Sequence, residues 1–241
     1  MPVDNKANIK KWSSVPANII AEFGDEGDFS RQHILNPTLL GLLGDVKGKH
    51  ILDAGCGNGY LCRKLVKLGA VMTGIEPADS LFQYAQEKEQ AEKLGILYEQ
   101  EDLCTYSDTS TLYDIVISNM VFMDIPDYES AIINCIKLLK KGGDFIFSVS
   151  HPCFEESGAD WFKKGFIATR EYFEEYDKKQ TYGSSFHRPL SKYINLSIQN
   201  NCLIKQIIEP QLSKEIAEKH PDAVRDYHVP SFIVIHAIKS Q

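Results

Sequence analysis

Ile51-Leu52-Asp53-Ala54-Gly55-Cys56-Gly57-Asn58-Gly59-Tyr60-Leu61 is the stretch on which the reading of this chain turns. Its opening belongs to a short strand candidate, His50-Ile51-Leu52-Asp53, which stops at alternating glycines. Beyond them Leu61, Leu65 and Leu68 recur at helical spacing, and Gly69 stands where a left-handed helix cap is expected. A strand, a glycine turn and a helix in that order begin a crossover unit of a parallel sheet. Glycine at such a turn tolerates positive φ and lets the backbone approach a ligand with no Cβ in the way.

Working outward, the alternation of strand and helix continues from about His50 to Val149. Ala70 to Ile75 reads as a second strand; Leu81, Phe82, Ala85 and Leu94 mark a helix capped by Asp79 or Ser80. Ile96 to Tyr98 reads as a third strand and Tyr113 to Ser118 as a fourth. Ile132, Cys135, Ile136 and Leu139 form a helix stripe, and Lys141-Gly142-Gly143 turns the chain into a fifth strand, Phe145 to Val149. Continuously apolar strands point to a parallel sheet covered on both faces. Right-handed crossovers then make a doubly wound α/β sheet the expected architecture. Leu203 to Ile208 and Phe232 to Ile238 add two antiparallel strands at the edge, for a mostly parallel sheet of seven strands in a Rossmann-like arrangement. The expected organisation is one domain over 1–241. It has a helical cover at 1–47, a ligand-binding core at 48–150, an aromatic-rich lid insertion after the fifth strand at 151–190, and a C-terminal helix with antiparallel strands at 191–241.

The composition narrows the function. With 241 residues, 43% hydrophobic and 24% charged, the chain is neither disordered nor fibrous. Its 26 basic and 33 acidic residues give a net charge of −7, which lacks the electrostatic footprint of a nucleic-acid binder. No apolar run approaches the ~20 residues of a membrane helix. The N-terminal residues carry no apolar core for a signal peptide, so a cytoplasmic location is expected. Cysteines at 56, 62, 104, 135, 153 and 202 form no CxxC pair, and in a reducing compartment they read as small buried apolar residues.

The glycines at 55, 57 and 59 make GxGxG. A dinucleotide fingerprint needs its third small residue at 60, which is Tyr, and no Gly-Lys-Ser/Thr follows for a phosphate loop. Glu76 ends the second strand, 76 − 55 = 21 residues after the first glycine, near the roughly 20-residue offset of a ribose-binding acid. A carboxylate there can accept two charge-assisted hydrogen bonds from a 2′,3′-diol. Glu101-Asp102 follows the third strand, where an acid can accept from an adenine amino group.

At these residues the chain resembles the class I S-adenosylmethionine-dependent methyltransferases. The resemblance rests on ILDAGCGNGYL (51–61), GIEPA (74–78), EDL (101–103) and YDIVISNMVF (113–122), and extends over roughly residues 31 to 150. It implies that Gly55, Cys56 and Gly57 line the methionine part of S-adenosyl-L-methionine and that Asp53 anchors the loop or the amino group. Glu76 would take the ribose hydroxyls and Asp102 the adenine, with Pro77 and Leu103 against the adenine faces. The Asn119 backbone and Met120 would lie near the sulfonium, Arg31 would reach the carboxylate, and S-adenosyl-L-homocysteine would be the product.

Methyl transfer from a sulfonium is an in-line displacement on carbon, for which the protein chiefly aligns the partners and keeps water away. A general base is needed only for a protonated acceptor. His151, directly after the fifth strand, is the first candidate, and His187 of His187-Arg188-Pro189 the second; either can instead be structural. Arg188 can hold an acidic acceptor bidentately. Tyr172, Tyr182 and Tyr193 can line an aromatic pocket or simply pack the lid. His151-Pro-Cys-Phe and His187-Arg-Pro-Leu-Ser191 also look like pieces of a subgroup of small-molecule and peptide-modifying methyltransferases. The expected function is methyl transfer to a small-molecule acceptor, with no metal and no membrane. The alternatives are an RNA or protein/peptide methyltransferase and a non-catalytic cofactor-binding protein.

Overall fold

A computed structural model of the chain describes residues 4–155 and 158–240; residues 1–3 of the cover, 156–157 of the insertion and 241 lie outside the described residues. The N-terminal cover holds α1 (Asn5–Trp12), α2 (Ala17–Glu22) and a π-helical turn (Arg31–Leu35) that runs into α3 (Asn36–Leu43). The core follows as β1 (His50–Ala54), α4 (Tyr60–Lys67), β2 (Val71–Ile75), α5 (Asp79–Glu92), β3 (Leu97–Glu99) and β4 (Tyr113–Asn119). A 3-10 turn (Phe122–Asp124), α6 (Tyr128–Lys137) and β5 (Leu139–Ser150) complete it. Then come α7 (Gly158–Lys164), β6 (Tyr176–Lys179), β7 (Ser184–His187), α8 (Leu190–Gln199), β8 (Cys202–Ile208), α9 (Lys214–Lys219), α10 (Arg225–His228) and β9 (Phe232–Lys239).

The main sheet has seven strands in the order β3-β2-β1-β4-β5-β9-β8. Strands β1 to β5 are parallel, and β9 runs antiparallel between β5 and β8. Strand order reverses between β1 and β4, so the crevice for a ligand opens at their carboxyl ends. The strands are apolar on both faces because both are covered. Leu52, Val116, Phe145 and Phe147 pack toward α6 and Tyr193 of α8, while Ile51, Ile115, Ile117 and Ile146 pack toward α3, α4 and α5. Each such fully buried side chain stabilises the fold by about 1.5–3 kcal/mol.

Three local expectations change. The α5 helix begins after Ala78 with no side-chain cap, Asp79 serving only as a first-turn acid, and Lys93 at φ +52 ends it before Leu94. Lys141-Gly142-Gly143 is not a turn ahead of the fifth strand. It belongs to a bulge inside it, since Leu139 pairs with Tyr113 and pairing resumes only at Asp144 with Ile115. The insertion is partly regular, with β6 and β7 forming an antiparallel ribbon. Tyr176-Asp-Lys-Lys and Ser184-Ser-Phe-His have too few apolar residues to show a period of two.

Candidate active site

The glycine loop is sewn to the next strand. Gly55 and Cys56 both donate their backbone N–H to the Ile75 carbonyl at 2.9 Å, and Gly57 N–H reaches Glu76 Oε2 at 2.9 Å. The other oxygen, Oε1, accepts from Ala78 N at 2.9 Å. Glu76 is buried, and burial pushes its carboxyl up to about 7 against the pull of the Ala78 and Gly57 N–H groups. Asp53, buried at the end of β1, accepts from the Cys62 thiol at 3.4 Å. Burial lifts it to about 7 as well; the Cys62 contact opposes the rise and the nearby Glu76 charge adds to it. Two carboxyls near their midpoints at neutral pH therefore flank one loop.

The neighbouring strand ends complete the wall. Asp102 uses Oδ1 to accept from Cys104 N (2.9 Å) and Oδ2 to accept from the Asn5 side chain (2.7 Å). Asn119 donates to the Tyr60 hydroxyl at 2.8 Å and accepts from Ser148 at 2.7 Å, while Tyr60 donates to Asn36 at 3.0 Å. That buried chain pins the carboxyl end of β4 to β5, α4 and α3. Immediately after it Met120 takes φ +63, held by hydrogen bonds from its N–H to Ser148. A methionine in the left-handed region is strained, and such strain collects at functional sites. Arg31 opens the π-helical turn and is paired with Asp28; π-helical segments are likewise frequent at functional sites.

These elements enclose a cavity of about 220 Å³. It brings together all eleven residues that the sequence nominates for the cofactor: Arg31, Asp53, Gly55, Cys56, Gly57, Glu76, Pro77, Asp102, Leu103, Asn119 and Met120. Trp12 of α1 and Tyr182 beside the ribbon also line it, together with residues that carry no readable signal: Asn5 and Asn8 of α1, and Asp124 and Ile125 after β4. Helix α1 is fastened across this cavity. Asn8 donates to the Asp124 carbonyl at 2.6 Å and accepts from Ser184 N at 2.8 Å, and the Trp12 indole fills the space left by the missing side chain of Gly183.

The two candidate general bases lie outside the cavity lining. His151 Nε2 sits 2.8 Å from Glu209, and its Nδ1 accepts from Cys153 N at 3.2 Å, so its ring fastens the end of β5 to a neighbouring loop. His187 is buried, with Nδ1 2.7 Å from Glu155 and Nε2 2.9 Å from the Tyr172 carbonyl. A carbonyl only accepts, so Nε2 carries a hydrogen, and with Nδ1 facing a carboxylate the ring fastens parts of the insertion to one another. Arg188 is also corrected: it is buried, and its guanidinium donates to the carbonyls of Phe122 (3.0 Å), Ile125 (2.7 Å) and Pro126 (3.1 Å). It clamps the turn after β4 rather than waiting for an acidic acceptor. Of the three tyrosines only Tyr182 reaches the cavity; Tyr172 accepts from Leu190 N and Tyr193 packs against Tyr128.

The residues fit an adenosyl sulfonium. Gly57 lines the cavity at φ +56, and a Cβ there would stand in open space, so the loop leaves room for ligand atoms at backbone distance. Each Glu76 oxygen spends one lone-pair direction on a backbone N–H and retains another for a ribose hydroxyl. Asp53 and Asp102 supply acceptors on either side of it.

Comparison with known proteins gives the same picture. A family model described as a methyltransferase domain matches residues 52–147. The ubiquinone biosynthesis O-methyltransferase of Coxiella burnetii is 33% identical over 132 residues, covering 54% of this chain and 56% of that protein. The protein of the same name from Escherichia coli is 29% identical over 170 residues, covering 65% and 69%. The chain thus spans about half the length of the first of these curated relatives. Among solved structures, one described as an S-adenosylmethionine-dependent methyltransferase from Listeria monocytogenes superposes with a TM-score of 0.75 at 26% identity, covering 91% of this chain and 99% of that one. A methyltransferase from Mesorhizobium loti reaches a TM-score of 0.76 at 22% identity and shares the fold.

Proposed function

We propose that this chain is a class I S-adenosylmethionine-dependent methyltransferase and that it transfers a methyl group from S-adenosyl-L-methionine to a small-molecule acceptor, releasing S-adenosyl-L-homocysteine. The observation that carries this reading is Glu76: a buried carboxylate bridging Gly57 N and Ala78 N in the lining of a cavity that also holds Asp53 and Asp102. Asp53 takes the ammonium, Glu76 the ribose diol and Asp102 the adenine amino group. Arg31 takes the carboxylate, and Met120 packs near the sulfonium. When bound, the cofactor supplies an electrophilic methyl group. The protein's own part is to align the acceptor with that methyl and to exclude water, a contribution worth roughly 7–11 kcal/mol in well-oriented systems.

The cover favours a small acceptor. Helix α1 lies across the cavity on hydrogen bonds to Asp102, the Asp124 carbonyl and Ser184, a cover better suited to a small molecule than to a polymer strand. Oxygen is the acceptor atom that the names of the relatives favour. No helix among the described residues is long and apolar enough to cross a membrane, and we place the protein in the cytoplasm. The test is calorimetric titration with S-adenosyl-L-homocysteine and, separately, with a nicotinamide dinucleotide. Then a deuteromethyl donor is offered with a panel of small hydroxyl, amine and thiol compounds, and products are read by mass spectrometry. Binding of the first ligand alone, with label in a small acceptor, supports the reading; heat only from the dinucleotide overturns it.

A further inference from the structure

Asp124 ends the 3-10 turn after β4, and no reading of the sequence selects it. It is half-buried in the lining of the cavity, and its Oδ1, shielded from solvent, has no hydrogen-bond partner among the described residues. A buried carboxylate oxygen left without a partner costs free energy, and is retained where something else completes it. The turn that carries it is unusually fixed. Arg188 grips the carbonyls of Phe122, Ile125 and Pro126 on either side, and Asn8 grips the carbonyl of Asp124 itself. The backbone is thus held at four carbonyls, while one side-chain oxygen is left unused. Met120, four residues earlier, lines the same cavity.

We propose that Asp124 is the acceptor-binding residue and proton acceptor of this site, and that the acceptor is a largely apolar molecule presenting a hydroxyl. This rests on the methyl-transfer reading above. Apolar residues that line the same cavity, among them Ile9, Trp12, Val15, Ile125 and Tyr182, suit a hydrocarbon or aromatic body. With Arg31 taken by the cofactor carboxylate, a carboxylic acid or phosphate would meet the Asp124 carboxyl with no cation to pair it and be repelled. An amine would arrive as an ammonium, and pairing with a carboxylate would hold it in the non-nucleophilic form. A hydroxyl suits the site: its hydrogen completes Oδ1 while its lone pair is left for the methyl. In the step itself the acceptor oxygen forms a bond to the methyl carbon as the carbon–sulfur bond breaks. The bond's electron pair stays on sulfur, giving the neutral thioether, and the hydroxyl proton passes to the Asp124 carboxylate, which later returns it to water.

Burial raises the Asp124 carboxyl to about 7, while the Ser185 hydrogen bond and the charges of Arg31, Lys178 and Arg188 oppose the rise. These are the groups that face it from the π-helical turn, β6, β7 and the segment after β7. A base with that value is well matched to proton transfer near neutrality.

The test compares the wild type with Asp124→Asn, which keeps the shape and cannot take the proton. Affinity for S-adenosyl-L-homocysteine by calorimetry should stay within about threefold, showing that the site is intact. Turnover of alkylphenols and small alcohols at saturating donor should fall by about a hundredfold or more, the usual scale of general-base loss. The wild-type rate should climb through pH 7 and the variant's should lose that inflection. 4-Nitrophenol, already ionised at pH 8, should be affected far less than 4-propylphenol. A variant turning over both phenols within threefold of wild type overturns the proposal, as does a wild type that methylates only amines, or no hydroxyl compound at all. If Asp124→Asn does not fold, binding of 4-propylphenol to the wild-type complex with S-adenosyl-L-homocysteine decides: no binding at any pH overturns it. Failure of the donor analogue itself to bind would instead bring down the methyl-transfer reading.

Discussion

Asn5 donates its side-chain amide to Asp102 across 2.7 Å, so the N-terminal helix is tied to the acid that follows the third strand in the cavity wall. The same amide lies 3.3 Å from the Cys104 sulfur. The contact joins residues 97 positions apart and places the cover directly over the adenine end of the proposed cofactor site.

Asn5→Ala should loosen α1. A single hydrogen bond is worth about 0.5–1.5 kcal/mol, which raises the open population roughly two- to twelvefold. Trypsin cleavage at Lys6, Lys10 and Lys11, all in α1, should accelerate by that factor in the variant and slow again when S-adenosyl-L-homocysteine is added. Equal cleavage rates in the two proteins would show that the tether does not hold the cover.

Glu76→Ala removes both the proposed diol acceptor and the partner of two backbone N–H groups, Gly57 and Ala78. Loss of charge-assisted bonds of this kind should weaken cofactor binding by more than about tenfold. Titration calorimetry reads the change directly; unaltered affinity would mean that the ribose lies elsewhere.

Much of this wall was legible in the sequence because it is local. A strand, a glycine turn and an acid at a fixed offset are set by backbone geometry over some twenty residues, and the structure gathers those positions into one cavity. What escaped depends on distance. His151 looks like a base until Glu209, 58 residues away, takes its Nε2. Arg188 looks like an anion clamp until the carbonyls of Phe122, Ile125 and Pro126, more than sixty residues earlier, fill its donors. Asp124 stands in Phe-Met-Asp-Ile-Pro, a non-periodic turn in which nothing marks burial. The β6–β7 ribbon escaped because its buried positions are Ser184, Ser185 and His187, with no hydrophobic alternation.

Affinity and stability should respond to pH in opposite directions. Asp53 and Glu76 are raised from 3.8 and 4.5 to about 7 in the ligand-free fold. A bound ammonium and diol favour the ionised forms, so affinity for S-adenosyl-L-methionine should rise from pH 6 to pH 8, with proton release on binding. For folding the sign reverses. A carboxyl raised above its unfolded value stabilises the fold fully below that value and loses the contribution as pH climbs to the folded value. The melting temperature of the ligand-free protein should thus decline between about pH 4.5 and 7 on account of these groups, and Glu76→Gln should flatten part of that slope. Affinity independent of pH over this window would contradict the placement of both carboxyls.

Two glycines in one loop should fail differently. Gly57→Ala adds a methyl where nothing stands within 4 Å, at a φ of +56 that costs about 1–2 kcal/mol for an L-residue, so the protein should fold and bind cofactor poorly. Gly59→Ala puts its methyl into the ring and hydroxyl of buried Tyr98, which must move. That variant should lose cooperative unfolding or melt well below the first. Thermal scans paired with titration separate the two, and equal melting temperatures would refute the distinction.

Arg188→Lys tests whether the turn bearing Asp124 owes its position to the clamp. The guanidinium serves three carbonyls and lies 4.1 Å from the centre of the Tyr128 ring, with its face also toward Phe186. Lysine keeps the charge but has a single compact head and no planar fork, so it cannot span those acceptors. Leaving buried carbonyls unpaired costs about 1–3 kcal/mol each. A net loss of about 2 kcal/mol would lower the melting temperature by roughly 4–8 °C in a chain of this size. Because Asp124 and Ile125 of this turn line the proposed acceptor side of the cavity, and the hydrogen bonds of Arg188 go to the turn rather than to the glycine loop, turnover should fall more than cofactor affinity does. A variant that melts with the wild type and turns over normally would show that α1 alone fixes the turn, through the bond from Asn8 to the Asp124 carbonyl.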